Sequence, residues 1–231
     1  NQNPYLSSIN RIYQPEYNWN YETGYKCFTP MYQFQFTAFY MNRKDQQVNI
    51  SSQQEEGNPN SFYFYTENAA NGNNSGFELD VSYHVNEALS LNMNMGYLRT
   101  HVDAYEYQTD ATTAMTLGDR DQAQAPSYTY SVGFNYDLPL GLMLGMEITG
   151  KDEFYFSDSH DMKSEAYQLL NLSFRYTYKK LTINFWGKNI ADERYANRGF
   201  YFGLEPPEYE DTLYLHWGDP RQCGLSVQYG L

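Results

Sequence analysis

The chain has 231 residues, 18% of them aromatic with 25 Tyr and 14 Phe, and its formal net charge is -13. That acidic balance, with a pI near 4.6, excludes nucleic-acid binding, which needs clustered Lys and Arg to displace counterions from the phosphate backbone. A mean hydropathy of -0.73 and the absence of any run of about 18 apolar residues exclude a membrane-spanning helix. Any membrane crossing must then be made by strands.

In chain order, the first period-two run sets Trp19, Tyr21, Tyr25 and Cys27 against Asn18, Asn20, Glu22, Gly24 and Lys26. After a break at Thr29-Pro30, Tyr32, Phe34, Phe36, Ala38 and Tyr40 oppose Gln33, Gln35 and Thr37. A third run sets Phe77, Leu79, Val81, Tyr83 and Val85 against Glu78, Asp80, Ser82 and His84, and Asn86 to Ala88 link it to Leu89, Leu91, Met93, Met95 and Tyr97. Tyr128 to Leu138 and Leu142 to Thr149 form the next pair across Pro139 to Gly141. Leu170 to Tyr178 and Leu181 to Lys188 follow across Lys179-Lys180, and Cys223, Leu225, Val227, Tyr229 and Leu231 alternate with small or polar residues to the end. Alternation of this kind predicts strands with one apolar face. About nine result, each near the 9 to 11 residues that a tilted strand needs to cross a bilayer.

The connections alternate in length. Short ones fall at Thr29-Pro30, Asn86 to Ala88, Pro139 to Gly141 and Lys179-Lys180, and long ones run roughly over Arg43 to Ser75, Arg99 to Ser127, Lys151 to Ala166 and Ala191 to Gly218. That is the loop asymmetry of an up-and-down outer-membrane barrel, with short turns at the periplasm and long loops outside. The predicted fold class is therefore all-β, an antiparallel transmembrane barrel segment. A soluble β-sandwich also alternates, but its strands seldom carry five alternate large apolar residues in succession, nor do its loops sort by length. It stays as a rival, in the form of a carbohydrate-binding domain using the Tyr-rich loops. A small standalone porin or adhesin barrel is the other rival, disfavoured by an odd strand number.

Catalytic chemistry finds no support: GxSxG, HExxH, Walker and dinucleotide-binding patterns are all missing. No cofactor and no metal are expected. Asp158-Ser159-His160-Asp161 and Asp119-Arg120-Asp121 read as polar loop tips, and Cys27 and Cys223 as small hydrophobes. The better functional signal is aromatic density in the long loops, which suits capture of a small ligand. The candidates are Tyr63, Tyr65, Tyr105, Tyr107, Phe154, Tyr155, Arg198, Phe200, Tyr201, Tyr209 and Trp217. Strands continued beyond the membrane with their rings stacked along them would explain part of that density. On the lumen side, Glu78, Asp80, Glu147, Arg175 and Lys188, with Glu22 and Lys26, are candidates for cross-strand pairing or for holding a plug.

Two stretches near the end carry a family resemblance. Gly187-Lys188-Asn189-Ile190-Ala191-Asp192-Glu193-Arg194-Tyr195 resembles the v-x-N-l-x-D-x-x-Y signature of TonB-dependent outer-membrane receptors. Gly218-Asp219-Pro220-Arg221 with Gly224-Leu225-Ser226-Val227 resembles their closing G-x-P-R-x-x-G-l-s-v strand, and Ala38-Phe39-Tyr40, Arg43 to Gln47 and Gly76 to Leu79 are also similar to this family. One departure is Leu231, where such barrels usually finish on Phe.

The resemblance implies a 22-stranded barrel around an N-terminal plug, importing iron-siderophores, haem, cobalamin or oligosaccharides with energy delivered through TonB. Neither a plug nor a TonB-contacting box is visible, and no signal peptide is seen from Asn1 onward. The expectation is thus the C-terminal part of such a barrel, roughly strands 14 to 22, in the bacterial outer membrane. Its expected partners are membrane lipid, the rest of the barrel, the plug and, through it, TonB. A ferric siderophore is the first ligand candidate, as the commonest class. Acidic loops fit anionic catecholates poorly, leaving neutral or cationic siderophores, haem-like ligands and sugars open.

Overall fold

A computed structural model describes residues 12–53, 59–108, 114–203, 205–207, 210 and 212–230. Leu231, the residue at the terminal position discussed above, lies outside them, as does Tyr209.

Nine strands form one antiparallel sheet in the order β1 (Tyr17–Phe28), β2 (Tyr32–Gln53), β3 (Phe62–His84), β4 (Leu89–Val102), β7 (Tyr128–Leu138), β8 (Leu142–Lys151), β9 (Tyr167–Tyr178), β10 (Leu181–Lys188), β13 (Gln222–Tyr229). Two small hairpins, β5 (Tyr105–Gln108) with β6 (Ala114–Leu117) and β11 (Ala196–Phe202) with β12 (Thr212–Trp217), sit inside two of the long connections. No helix among the described residues is long and apolar enough to cross a membrane.

The turns at the short-connection end are chosen by side-chain chemistry. The Asn86 carboxamide accepts hydrogen bonds from the amides of Ala88 (2.8 Å) and Leu89 (2.9 Å), an Asx-type turn that reverses the chain locally. Pro139 opens the next turn, and Leu140 and Gly141 close it at φ 68° and 76°; Gly141 is the residue type that this region favours.

Register then fixes which side chains share a face. Residues directly opposed across the sheet point the same way, so Phe36, Leu79, Met95, Tyr130 and Ile148 share the outer side with Val132, Phe134, Phe174, Phe185 and Leu225. Stacked rings tie neighbouring strands together there: Phe36 with Phe77 at 5.9 Å and Phe77 with Tyr97 at 5.6 Å. Tyrosines border this apolar band. Tyr21, Tyr40, Tyr97 and Tyr128 lie toward the long-loop end, and Tyr25, Tyr32, Tyr83, Tyr136, Tyr178 and Tyr229 toward the short-turn end. From Tyr32 to Tyr40 the chain advances roughly 26 Å, or about 20 Å along the membrane normal at a tilt near 40°, close to the ~25 Å apolar band of outer-membrane barrels.

The opposite face is polar. Glu147 accepts from Ser131 Oγ at 2.8 Å and Asn171 Nδ2 at 3.1 Å, and Ser82 donates to Asn92 at 3.0 Å. Gly224 leaves room for the Trp186 indole on this face, and Lys188 Nζ lies 5.9 Å from that ring.

One expectation is corrected: within Arg43 to Ser75, the stretches Arg43 to Gln53 and Phe62 to Ser75 are strand and not loop. β2 and β3 run 22 and 23 residues and stay paired from Arg43↔Gly72 to Gln53↔Phe62. The ladder continues past the apolar band because backbone pairing needs no apolar face. It carries a bulge where Asp45 takes φ 56° and its amide donates to Asn71 Oδ1 at 3.1 Å. Similarly, Arg99 to Ser127 and Ala191 to Gly218 contain strands as well as loop.

The signature residues after β10 act as a joint. Asn189, 3% exposed, donates from Nδ2 to the carbonyls of Glu193 (2.9 Å) and Asp219 (3.1 Å), while its Oδ1 accepts from the Glu193 amide at 2.8 Å. Asp192 Oδ1 accepts from the Arg221 amide at 2.8 Å. Asn189 and Asp192 take φ 48° and 56°, a region these two residue types tolerate. The exit of β10 is thereby tied to the entry of β13, and the β11–β12 hairpin is launched from a fixed base.

Candidate functional site

The β2–β3 extension and the three other long connections leave the same end of the sheet, and there segment 152–166 and the β11–β12 hairpin build a layer with its own core. The segment 152–166 folds back on itself. Phe156 N donates to Met162 O at 3.1 Å, Ser164 N donates to Phe154 O at 2.9 Å, and Tyr155 bridges Lys163. Alternation then sends Phe154 and Phe156 to one side, edge to face at 5.8 Å and 84°, where they pack with Ala196, Leu213 and Leu215 of the hairpin. Gly199 is required at this contact, because a Cβ there would stand 2.6 Å from the Phe156 ring.

Tyr155 faces the other way, between two cations: Arg120 at 4.4 Å and Lys163 at 4.5 Å from its ring centroid. Lys163 also reaches Glu153 at 2.8 Å, a hydrogen bond that raises its pKa above the ordinary ammonium value. Arg120 is the clamp of the segment. Its guanidinium donates to the carbonyls of His160 (3.0 Å) and Ser157 (2.7 Å) and to Asp161 Oδ1 (2.8 Å), with only 16% of the side chain exposed. Gln124 adds two bonds of 2.9 Å, its amide to Tyr155 O and its Nε2 to Phe156 O.

The clamp positions His160. Its ring stacks on Tyr201 of β11 at 3.5 Å and 6°, and its Nδ1 lies 2.8 Å from Ser157 Oγ and 3.0 Å from Ser159 Oγ. These groups line a cavity of about 580 Å³ with Gln124, Phe156, Arg198, Gly199 and Phe200. A second, of about 200 Å³, shares Gln124, Phe156 and Ser157 with it and extends toward Gln46, Tyr105 and Arg120.

The sequence-predicted candidates divide accordingly. Arg198, Phe200 and Tyr201 line the larger cavity and Tyr105 the smaller one. Phe154 is 2% exposed in the core of the layer, so its role is packing, and Tyr155 is held between the two cations. Trp217 lies under Arg194 at 4.0 Å, away from either cavity lining. Tyr65 stands on β3 opposite Ile50. Tyr63 and Tyr107 belong to β3 and β5, but their side chains fall outside the described ones. His160, Ser157, Ser159, Gln124 and Arg120 are the site residues that sequence reasoning did not select. Among the described residues no group of three or more His, Cys, Asp or Glu could hold a metal ion.

The lumen candidates all lie on the polar face. Glu147 is hydrogen-bonded as above, Arg175 Nη2 approaches Met143 Sδ at 2.6 Å, and Lys188 lies near Trp186. Glu78 and Asp80 sit opposite Gly96 and Asn94 with no hydrogen bond or ion pair among the described residues.

An antiparallel meander with an apolar, tyrosine-bordered outer face, a polar inner face and elaborated loops at one end is the wall of an outer-membrane-type β-barrel. Residues 1–190 match the family described as TonB dependent receptor-like, beta-barrel, and the chain belongs to that family. Among solved structures it is similar to the ferric yersiniabactin uptake receptor of Yersinia pestis (TM-score 0.70, 18% identity, covering 93% of this chain and 30% of that one). It is also similar to a siderophore receptor of Acinetobacter baumannii (TM-score 0.72, 15% identity, 97% and 30%) and to the ferripyoverdine receptor of Pseudomonas aeruginosa (TM-score 0.62, 16% identity, 99% and 29%). The chain spans about 30% of the length of these relatives.

Proposed function

We propose that this chain is the C-terminal wall of a bacterial outer-membrane receptor that captures a ferric siderophore at its outer mouth for import energised through TonB. The observation that carries the reading is the coexistence of a lipid-type outer face over nine strands with a cavity-bearing layer at one end only. Among the described residues β1 and β13 each pair on one side alone. In a meander with an odd number of strands these two edges run parallel, so closing the nine on themselves would need a parallel pair. Further antiparallel strands between β13 and β1 complete the barrel instead, which weighs against the small standalone porin or adhesin.

In this reading the mouth residues Arg198, Phe200, Tyr201 and Tyr105 contact the ligand. Glu78 and Asp80, without a partner among the described residues of the inner face, meet the plug, and Glu147 stiffens the wall. No bond is made or broken in the cargo by this chain. The experiment is uptake of radioactive iron, by cells expressing or lacking the full-length receptor, from a panel of ferric hydroxamates, ferric catecholates and haem. Receptor-dependent and TonB-dependent uptake from one of them is expected. Uptake that is unchanged by deletion for every member of the panel would contradict the proposal.

A further inference from the structure

The acidic chain as a whole repels anions, but the larger cavity of the mouth does not share its charge. Arg198 and His160 line it together with the hydroxyls of Ser157 and Ser159, the Gln124 amide and the Tyr201 ring, and none of its described lining residues is Asp or Glu. Asp161, adjacent in sequence, is turned onto Arg120. Among the described residues Arg198 has no hydrogen bond or ion pair, so none of them takes up its five donors. At physiological ionic strength charges are screened over about 8 Å, so the groups lining the cavity outweigh distant loop acids in setting what binds there. The His160 and Tyr201 rings, stacked 3.5 Å apart and within 6° of parallel, add flat aromatic surface to the same lining as Arg198.

We infer that this cavity takes an anionic, aryl-bearing donor group of a ferric chelate, a catecholate or hydroxyaryl carboxylate, with Arg198 against its oxygens and the Tyr201–His160 pair beside its ring. The inference rests on the receptor reading above and narrows its ligand class. It reverses what net charge alone implies, because selectivity is set by the lining and not by the sum over the chain. A volume of about 580 Å³ falls within the usual range for small-molecule sites.

The test is equilibrium binding to the full-length receptor in detergent, read by quenching of intrinsic fluorescence. The two probes are the ferric complex of 2,3-dihydroxybenzoate, anionic and aromatic, and ferric acetohydroxamate, neutral and without a ring. The dihydroxybenzoate complex is expected to bind more tightly. Arg198→Ala should weaken it about tenfold to a hundredfold, as loss of charge-assisted hydrogen bonds does, with Arg198→Lys recovering part of the loss. Binding of the neutral complex should weaken far less in either variant, a discrimination that a purely structural role for Arg198 would not produce. Unchanged affinity for the anionic complex in Arg198→Ala, or tighter binding of the neutral complex by the unmodified receptor, overturns the assignment. If cells nevertheless take up iron from a neutral chelate through the receptor, the function stands and only the cavity assignment falls.

Discussion

In the wall, Leu91, Val132 and Phe174 are 41%, 44% and 41% exposed, whereas Phe154 and Phe156 in the mouth are 2% and 6% exposed. Both regions draw on the same Tyr- and Phe-rich composition, yet one turns its apolar side chains outward and the other encloses them. The wall carries an apolar face of the kind that outer-membrane barrels turn to hydrocarbon, a surface that needs no protein partner. The mouth stands in water and must form a core of its own, which it does by folding segment 152–166 onto the β11–β12 hairpin. The sheet is therefore held by its backbone ladders, and the mouth by a handful of buried rings and one arginine clamp.

Single substitutions can break that contrast. The largest effect is expected for Phe156→Ala, about 3–5 kcal/mol against the local stability of the mouth. Hydrogen exchange should accelerate over 152–166 and 196–217 and leave β7 to β10 protected. Next comes a charge on the lipid face. Val132→Arg, midway between the tyrosine borders of β7, should cost about 2–4 kcal/mol in barrel stability, while Asn135→Arg on the inner face of the same strand should cost far less. A detergent-to-urea unfolding titration of the full-length receptor separates the two. Equal costs would mean that the two faces do not meet different solvents.

How much of this was legible in the sequence follows the same division. The nine wall strands and the side of each connection are readable because a face held against lipid imposes strict period-two alternation, as in Leu142, Leu144, Met146 and Ile148. Above the bilayer that constraint lapses. Asn42, Lys44, Gln46 and Asn49 carry no apolar period, so the extension of β2 and β3 beyond Arg43 was read as loop although its backbone stays paired. The mouth is harder still. Arg120 meets Ser157 across 37 residues and His160 across 40, and nothing local marks such a contact. Phe154 and Tyr155 looked alike as loop aromatics, and only the fold-back of 152–166 sends one into the core and the other onto cations.

A smaller effect sharpens the boundary between the regions. Asn189→Ala removes a buried side chain that caps three backbone groups where β10 leaves the wall, and should cost about 1–3 kcal/mol. Its signature should be disorder of the β11–β12 hairpin with the sheet intact, visible as protease sensitivity confined to 190–221.

The outward orientation of the apolar face is the claim on which the rest depends, and spin-label accessibility along β13 tests it most directly. With Cys27 and Cys223 replaced, single nitroxides at 224 to 229 of the full-length receptor in lipid bilayers would be read against oxygen and a water-soluble nickel chelate. The account predicts alternation: Leu225, Val227 and Tyr229 accessible to oxygen, and Gly224, Ser226 and Gln228 accessible to the nickel reagent or shielded by the plug. Uniform access of the nickel reagent to all six positions would contradict it.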